Sequence, residues 1–238
     1  MFEASGLSDP GCVRTNNEDF FIIDPDARIF ILADGMGGAN AGEYASELGA
    51  KNLHRFLLET PERDGFETLR EGFQEANRAV RESAKTHPER EGMGTTLVAA
   101  RDIGNARLQI GSVGDSRAYL LRNGRLSLLT HDQTWIVEVG PQLGLSEELL
   151  RKHPMRHVLT MAVGSAEDVR VFCDTIEMQA GDQILLCSDG LHGVLDEKLL
   201  QKALDSEKSL PEKCHYLVEA AKQEGGPDNV TVVLIRLV

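Results

Sequence analysis

Cysteine and long apolar runs are both scarce in this sequence. Its 238 residues contain four cysteines, and no two of them form a C-x-x-C pair, so we expect reduced thiols rather than a disulfide framework or a zinc site. No apolar run reaches the roughly 18 residues that a membrane-spanning helix needs. The first residues also lack the basic flank and apolar core of a signal peptide. We therefore expect a cytoplasmic protein without a membrane span.

Basic residues are fewer than acidic residues in this sequence. Lys and Arg total 25 against 38 Asp and Glu, which gives a formal net charge of −13. A field of that sign repels nucleic-acid backbones and anionic lipid, so neither is an expected partner. Proline is rare, at 8 residues, and no low-complexity tract, repeat or linker divides the chain. The composition is typical of a globular protein, and we expect one domain covering residues 1–238.

Apolar periodicity predicts helices in pairs. The early pair covers about residues 42–59 and a segment that begins near Asp64, and the late pair begins at Asp196 and includes an apolar face at 214–221. Strands are predicted at 30–33, 97–100, 108–113, 184–187 and 230–237, and Asn123-Gly124 is a strong hairpin signal. This pattern favours α+β layers over a doubly wound parallel sheet. Residues 131–155 fit no strand, and we expect a mobile, partly helical flap reaching to about residue 157.

Three aspartates lie at the ends of predicted strands. Asp34 and Asp189 each follow an apolar run, and Asp228 precedes one. In an antiparallel sheet such positions can share one edge. Two carboxylates ~4 Å apart repel by ~4 kcal/mol at an effective dielectric of 20, so their pKa values must rise or cations must lie among them. An oxygen-only ligand set favours Mg²⁺ or Mn²⁺. The alternative is that each aspartate only belongs to a turn.

An arginine and two acids precede another predicted strand, in the segment Arg14-Thr15-Asn16-Asn17-Glu18-Asp19. An arginine beside a metal cluster suits a phosphate ligand, because the planar guanidinium matches two phosphate oxygens. The alternative is an ordinary surface ion pair.

Six short blocks, in this order, resemble the PPM family of metal-dependent protein serine/threonine phosphatases, the type 2C class, in its bacterial form. They are RTNNED at 14–19, DGMGG at 34–38, GMGTT at 92–96, GDSR at 114–117, SDG at 188–190 and DNVT at 228–231. The resemblance implies a four-layer α-β-β-α sandwich of two antiparallel sheets flanked by helix pairs. It also implies hydrolysis of phosphoserine and phosphothreonine in proteins, the expected products of a Ser/Thr kinase, by direct attack of a metal-bridging water or hydroxide.

The resemblance further implies a role for each site residue. Two Mn²⁺ or Mg²⁺ ions would bind at one end of the sheets, with Asp34 bridging both and the Gly35 carbonyl on one of them. Asp189 and Asp228 would complete the other site. The remaining roles are Asp19 orienting metal-bound water, Arg14 gripping phosphate, Glu18 supporting the ligands from behind, and Asp115 helping to hold a weaker third metal.

Three positions depart from the family pattern. Met36 stands where many eukaryotic members have a histidine general acid, so a metal-bound water is expected to protonate the leaving alkoxide. Gly193 stands where many members carry an acid for the third metal, and Met161 replaces a common arginine. These last two departures support one alternative, a catalytically impaired regulator that binds phosphoproteins.

Two further hypotheses come from the residues themselves. A serine esterase could use Ser116 with Asp189 and His192, which have D-x-x-H spacing, but it leaves Asp34 and Arg14 without a role. A basic cluster follows the predicted flap, either as a solvated face or as a contact for phosphorylated or acidic substrates. Its members are Arg151, Lys152, His153, Arg156 and His157.

Overall fold

The computed structural model describes residues 2–37, 41–60, 66–144, 149–150 and 153–238. Within them the chain forms eleven strands: β1 Phe2–Asp9, β2 Asp19–Asp24, β3 Ile29–Met36, β4 Gly94–Thr95, β5 Leu97–Asp102, β6 Arg107–Val113, β7 Arg117–Arg122, β8 Arg125–Leu128, β9 Phe172–Glu177, β10 Gln183–Cys187 and β11 Val230–Leu237. The same ranges contain six α-helices: α1 Ala41–Glu59, α2 Glu67–Thr86, α3 Trp135–Glu138, α4 Asp189–His192, α5 Glu197–Leu204 and α6 Leu210–Gln223.

The strands form two antiparallel sheets. One has the order β1-β11-β10-β7-β8, and the other has the order β2-β3-β5-β6-β9 with the short β4 paired to β3. The β7–β8 hairpin turns at Asn123 and Gly124, whose φ angles are 51° and 72°. Two consecutive positive φ angles are typical of the type I′ turn, which confirms the hairpin prediction.

The apolar strands bury both of their faces. In β3, Ile31 and Ala33 pack in a core with helices α1 and α2, whereas Phe30 and Leu32 pack in a second core between the sheets. The other sheet shares that middle core and covers its outer face with α5 and α6. Continuous apolar runs are the expected sequence of strands buried on both sides. The predicted four-layer α-β-β-α sandwich is therefore confirmed.

Most predicted elements are present, with altered ends. Helix α1 begins one residue earlier than predicted, and Asp196 caps α5 by accepting a hydrogen bond from the Leu199 amide (2.8 Å). The predicted start of the second helix near Asp64 lies outside the described residues, where α2 begins at Glu67. Gly38, Arg151 and Lys152 also lie outside them. Strands β1 and β9 were not predicted.

The predicted flap contains α3 and a 3₁₀ turn at Gly140–Leu143. Its two ends meet, because the Trp135 amide donates to the Val158 carbonyl (2.8 Å) and the Thr160 amide donates to the Gln133 carbonyl (2.9 Å). None of the helices in the described part of the chain is long and apolar enough to cross a bilayer.

Candidate active site

Strand ends from both sheets bring the predicted acids to one end of the sandwich. Asp19 opens β2 directly opposite Asp34 in β3. Asp189 begins α4 immediately after β10, and Asp228 precedes β11, the neighbour of β10. They surround a cavity of about 490 Å³, lined by Arg14, Glu18, Asp34, Gly35, Met36, Gly37, Thr96, Asp115, His157, Val158, Leu159, Asp189 and Asp228. Seven of the eight predicted site residues thus line one cavity, and Asp19 lies behind its wall.

The backbone at Asp34 is held tightly. Its amide donates to the Thr96 hydroxyl (3.1 Å), and its carbonyl accepts from the Thr95 hydroxyl (2.9 Å). The Gly35 amide donates to the Glu18 carbonyl (3.0 Å). A Cβ at Gly35 would lie 2.1 Å from the Gly42 carbonyl oxygen, so this position requires glycine. The close approach of α1 to β3 therefore explains why glycine follows Asp34.

Asp19 is the most enclosed of the acids. It is 7 % exposed, and its Oδ2 accepts a hydrogen bond from the Ser188 hydroxyl (2.8 Å). Its Oδ1 is buried without a hydrogen-bond partner among the residues that the structure describes. Ser188 also accepts from the Thr231 amide (3.0 Å), which ties Asp19 to β11.

Asn229 joins the two loops that carry Arg14 and Asp228. Its Oδ1 accepts from the Glu18 amide (2.7 Å), and its Nδ2 donates to the carbonyls of Asn16 (2.8 Å) and Pro10 (3.1 Å). Sequence reasoning missed this role, because the bonds span more than 200 residues. The available signal was the DNVT block itself, in which Asn229 follows a predicted ligand.

The site is strongly acidic, and burial raises the pKa values of its carboxyl groups. Burial and then the neighbouring charges raise the pKa of Asp34 well above its ordinary value, and they raise that of Asp19 to about 7. Burial, followed by the charges of Asp189 and Asp132, raises the pKa of Asp115 to about 7. Burial and the charge of Asp228 also raise the pKa of Asp189, which a hydrogen bond to Asp34 partly opposes.

Raised pKa values and one arginine partly offset this charge. The raised pKa of Asp34 favours its protonated form, which can donate to the Asp189 carboxylate. Arg14 pairs with Asp228, with Nη2 2.8 Å from Oδ2. The Arg14 side chain is 51 % exposed, so it remains accessible from solvent. Arg14 was predicted to grip phosphate, and here its partner is instead a predicted metal ligand.

The donor set fits hard divalent cations. Carboxylate oxygens and a backbone carbonyl are the ligands that Mg²⁺ and Mn²⁺ prefer, and the lining residues of the described chain include no lysine to neutralise them. As the side chains stand, no group of three or more His, Cys, Asp or Glu residues within the described ranges could hold an ion directly. The Arg14–Asp228 pair contributes to this, since it uses a carboxylate oxygen that an ion would need.

The three positions that depart from the family pattern have different surroundings. Met36 lines the cavity without a group that can donate a proton. Gly193 ends α4 and donates its amide to the Asp189 carbonyl (2.7 Å), so it offers no side-chain ligand. Met161 packs against the core under α1 and α2. The acid expected for a third metal at Gly193 is therefore absent, and Asp115 is the remaining candidate.

The geometry does not support the serine esterase hypothesis. The Ser116 hydroxyl is buried and shares a hydrogen bond with the Thr96 hydroxyl (2.7 Å). The Nε2 atom of His192 instead contacts the Asp115 carbonyl oxygen (2.9 Å), and burial lowers the pKa of His192 to about 4. A serine nucleophile requires an adjacent base, and no hydrogen bond links these two described residues.

Comparison with known proteins identifies the family of this chain. The profile of the family described as Protein phosphatase 2C matches residues 13–234. The chain is 39% identical over 231 residues to the serine/threonine protein phosphatase PstP of Mycobacterium tuberculosis, covering 97% of this chain and 44% of PstP. It is 37% identical over 235 residues to the serine/threonine phosphatase Stp of Listeria welshimeri, covering 96% of this chain and 93% of Stp.

A solved structure is similar over its whole length. The catalytic domain of PstP in complex with two manganese ions superposes with a TM-score of 0.87 at 37% identity, covering 100% of this chain and 98% of that one. The chain spans less than half of full-length PstP but nearly all of Stp. From the profile match and these relatives, the chain belongs to the protein phosphatase 2C family of serine/threonine protein phosphatases.

Proposed function

We propose that this chain removes phosphate from phosphoserine and phosphothreonine in proteins, using two Mn²⁺ or Mg²⁺ ions. The observation that carries the proposal is the convergence of Asp34, Asp115, Asp189 and Asp228 on one cavity with Arg14 at its edge. The manganese ions of the PstP catalytic domain support the choice of metal. The ligands for the ions would be Asp34, the Gly35 carbonyl, Asp189 and Asp228.

The bound ions would supply Lewis acidity, which makes water nucleophilic at neutral pH and offsets negative charge on the phosphoryl group. Asp34, whose pKa is raised by burial, must be deprotonated to act as a ligand beside Asp189. Arg14 must turn from Asp228 to a phosphoryl oxygen, where its guanidinium stabilises the charge that develops as the P–O bond breaks. The exposure of Arg14 permits this exchange of partners.

Asp19 and Glu18 form hydrogen bonds next to the proposed ligands rather than binding the ions themselves. Asp19 is buried against Ser188, and its Oδ1, which has no partner among the described atoms, is available to accept a proton or hydrogen bond from the reacting water. The Glu18 carboxylate accepts a hydrogen bond from the Asn16 side-chain amide (2.9 Å), and its backbone carbonyl accepts one from the Gly35 amide. It therefore positions the backbone whose carbonyl is the proposed ligand.

The physiological setting is also part of the proposal. Phosphorylated serine and threonine are products of protein kinases, so a Ser/Thr kinase is the expected opposing enzyme. None of the four cysteines is in a disulfide, which supports the reducing environment of a cytoplasm. Asp115 would contribute to a third, weaker ion.

Replacement of the proposed ligands tests the proposal. We expect Asp34→Asn, Asp189→Asn and Asp228→Asn each to abolish Mn²⁺-dependent release of phosphate from a phosphothreonine peptide while the circular dichroism spectrum is unchanged. The exposed Asp168→Asn is the matched control and should retain activity. Wild-type turnover in Mn²⁺-saturated Asp189→Asn would contradict the ligand assignment. A wild-type protein that binds the peptide with Mn²⁺ present but releases no phosphate would instead support the phosphoprotein-binding regulator.

A further inference from the structure

One wall of the active-site cavity comes from the end of the predicted flap, through His157, Val158 and Leu159. This wall is fixed to the rest of the site by backbone contacts. Leu159 pairs with Thr134 in an isolated β-bridge, and the neighbouring Gln133 amide donates to the Gly114 carbonyl (3.0 Å). The segment that carries His157 is therefore connected to the loop that carries Asp115.

His157 is one of two lining side chains, among those described, that can be positively charged. The other, Arg14, already pairs with Asp228. Its imidazole lies near the acidic site, since a charge on His157 is among the causes that lower the pKa of Asp189. Its exposed imidazole makes no hydrogen bond to any side chain or backbone group in the described ranges. It is therefore available to an incoming phosphate ester.

The reaction needs a proton at the position opposite the attacking water. Cleavage of the ester bond in phosphoserine would release a strongly basic alkoxide, and a positioned acid that protonates the oxygen as the bond breaks contributes typically 10²–10⁴-fold to the rate. Arg14 does not give up its proton at accessible pH, and Met36 has none to give. The hydroxyls of Thr96 and Ser116 bind each other. Histidine is the side chain best suited to hold and release a proton near neutral pH.

We propose that His157 is the general acid of this phosphatase. The inference rests on the proposed phosphatase function and deepens it. As the bond from phosphorus to the seryl or threonyl oxygen breaks, that oxygen takes its bonding electrons and receives the imidazole proton of His157. The oxygen of water forms the new bond to phosphorus. The water releases one proton through Asp19 to solvent, and His157 regains one proton from solvent, so the products are the alcohol, inorganic phosphate and an unchanged enzyme.

A general acid matters most when the leaving group is basic. Phenyl phosphate and p-nitrophenyl phosphate have nearly the same size, but phenolate is a much poorer leaving group than p-nitrophenolate. The test is to measure kcat for both esters with saturating Mn²⁺ in the wild type and in His157→Gln. We expect kcat for phenyl phosphate, and for a phosphoserine peptide, to fall by roughly 10²-fold or more, while kcat for p-nitrophenyl phosphate changes only a few-fold. The control is Val158→Ala, which alters the same wall without removing a proton donor.

The outcomes separate this inference from the proposed function. Equal losses on both esters would mean that His157 only attracts phosphate, and unchanged rates would mean that water supplies the proton, so either result overturns the assignment. A leaving-group effect in Val158→Ala as large as that in His157→Gln would also overturn it. Hydrolysis of neither ester by the Mn²⁺-saturated wild type would refute the phosphatase function itself.

Discussion

Removal of divalent ions should make the stability of this protein depend strongly on pH. Asp115 illustrates the reason, because burial raises its pKa from 3.8 to about 7. Between these values the folded form holds a proton that the unfolded chain has released, so the free energy of unfolding falls as pH rises through this range. One pKa unit corresponds to about 1.36 kcal/mol, so at pH 8 the ionised Asp115 costs the folded state on the order of 4 kcal/mol.

The assay is urea denaturation in EDTA at pH 5 and at pH 8. We expect the wild type to be less stable at pH 8 by several kcal/mol, since the pKa of Asp19 is raised in the same direction. Asp115→Asn replaces the titrating group with a neutral one of similar shape. It should therefore raise stability by on the order of 4 kcal/mol at pH 8 but by less than about 2 kcal/mol at pH 5, because pH 5 lies only about one unit above the ordinary pKa of 3.8. Saturating Mn²⁺ should reduce the pH dependence of the wild type.

The exposed Asp168→Asn is the control, and its pH dependence should match that of the wild type. Equal stability of the metal-free wild type at pH 5 and pH 8 would refute the reasoning. If the free energy of unfolding of Asp115→Asn differs between pH 5 and pH 8 as much as that of the wild type, the pH dependence comes from other groups.

Two further predictions concern the backbone around the site. Gly190→Ala should destabilise the fold by roughly 1–3 kcal/mol, because a Cβ there would lie 1.9 Å from the Asn229 carbonyl oxygen. The control in urea denaturation is Gly49→Ala, where the added Cβ would contact only side-chain atoms. Equal loss of stability in the two variants would contradict the proposed clash. Asn229→Ala should lower the free energy of unfolding by about 1–3 kcal/mol for each polar group left unpaired. It should also lower kcat, because Arg14 and Glu18 would be displaced. Wild-type stability and kcat in this variant would show that the Asn229 hydrogen bonds do not hold the loops.

The central strands could be predicted because their sequences are unambiguous. Strands β3, β10 and β11 are apolar on both faces, and the helices that cover them have regular apolar stripes. Strands β1 and β9 escaped prediction because they are edge strands. Their side chains are mostly half-buried, and they include Ser, Gly and Asp residues that interrupt any apolar pattern.

The proposed ligand set could be inferred from the sequence for a related reason. Asp34 and Asp189 follow continuous apolar runs, and the burial of both strand faces leaves the strand ends as the positions where charge is tolerated. The pairing of Arg14 with Asp228 was not predictable, because it joins residues 214 positions apart and depends on side-chain direction. His157 appeared only as one member of a basic cluster. Its position in the cavity depends on how the flap returns to Gln133 and Trp135.

The same concentration of charge that suits the site to catalysis opposes folding. Without ions, the raised pKa of Asp34 and the Arg14–Asp228 ion pair partly offset the negative charge of the carboxyl groups. Ions that bind only the folded form add RT ln(1 + [L]/Kd), about 2.7 kcal/mol at a hundredfold excess over Kd. To bind as proposed, the ions would have to displace protons from the carboxyl groups and release Arg14 from Asp228. Protons and ions would then compete for the same oxygens, and metal binding would make the Arg14 guanidinium available to phosphate. In the proposed site, metal binding would therefore prepare the phosphate site as well as the nucleophile.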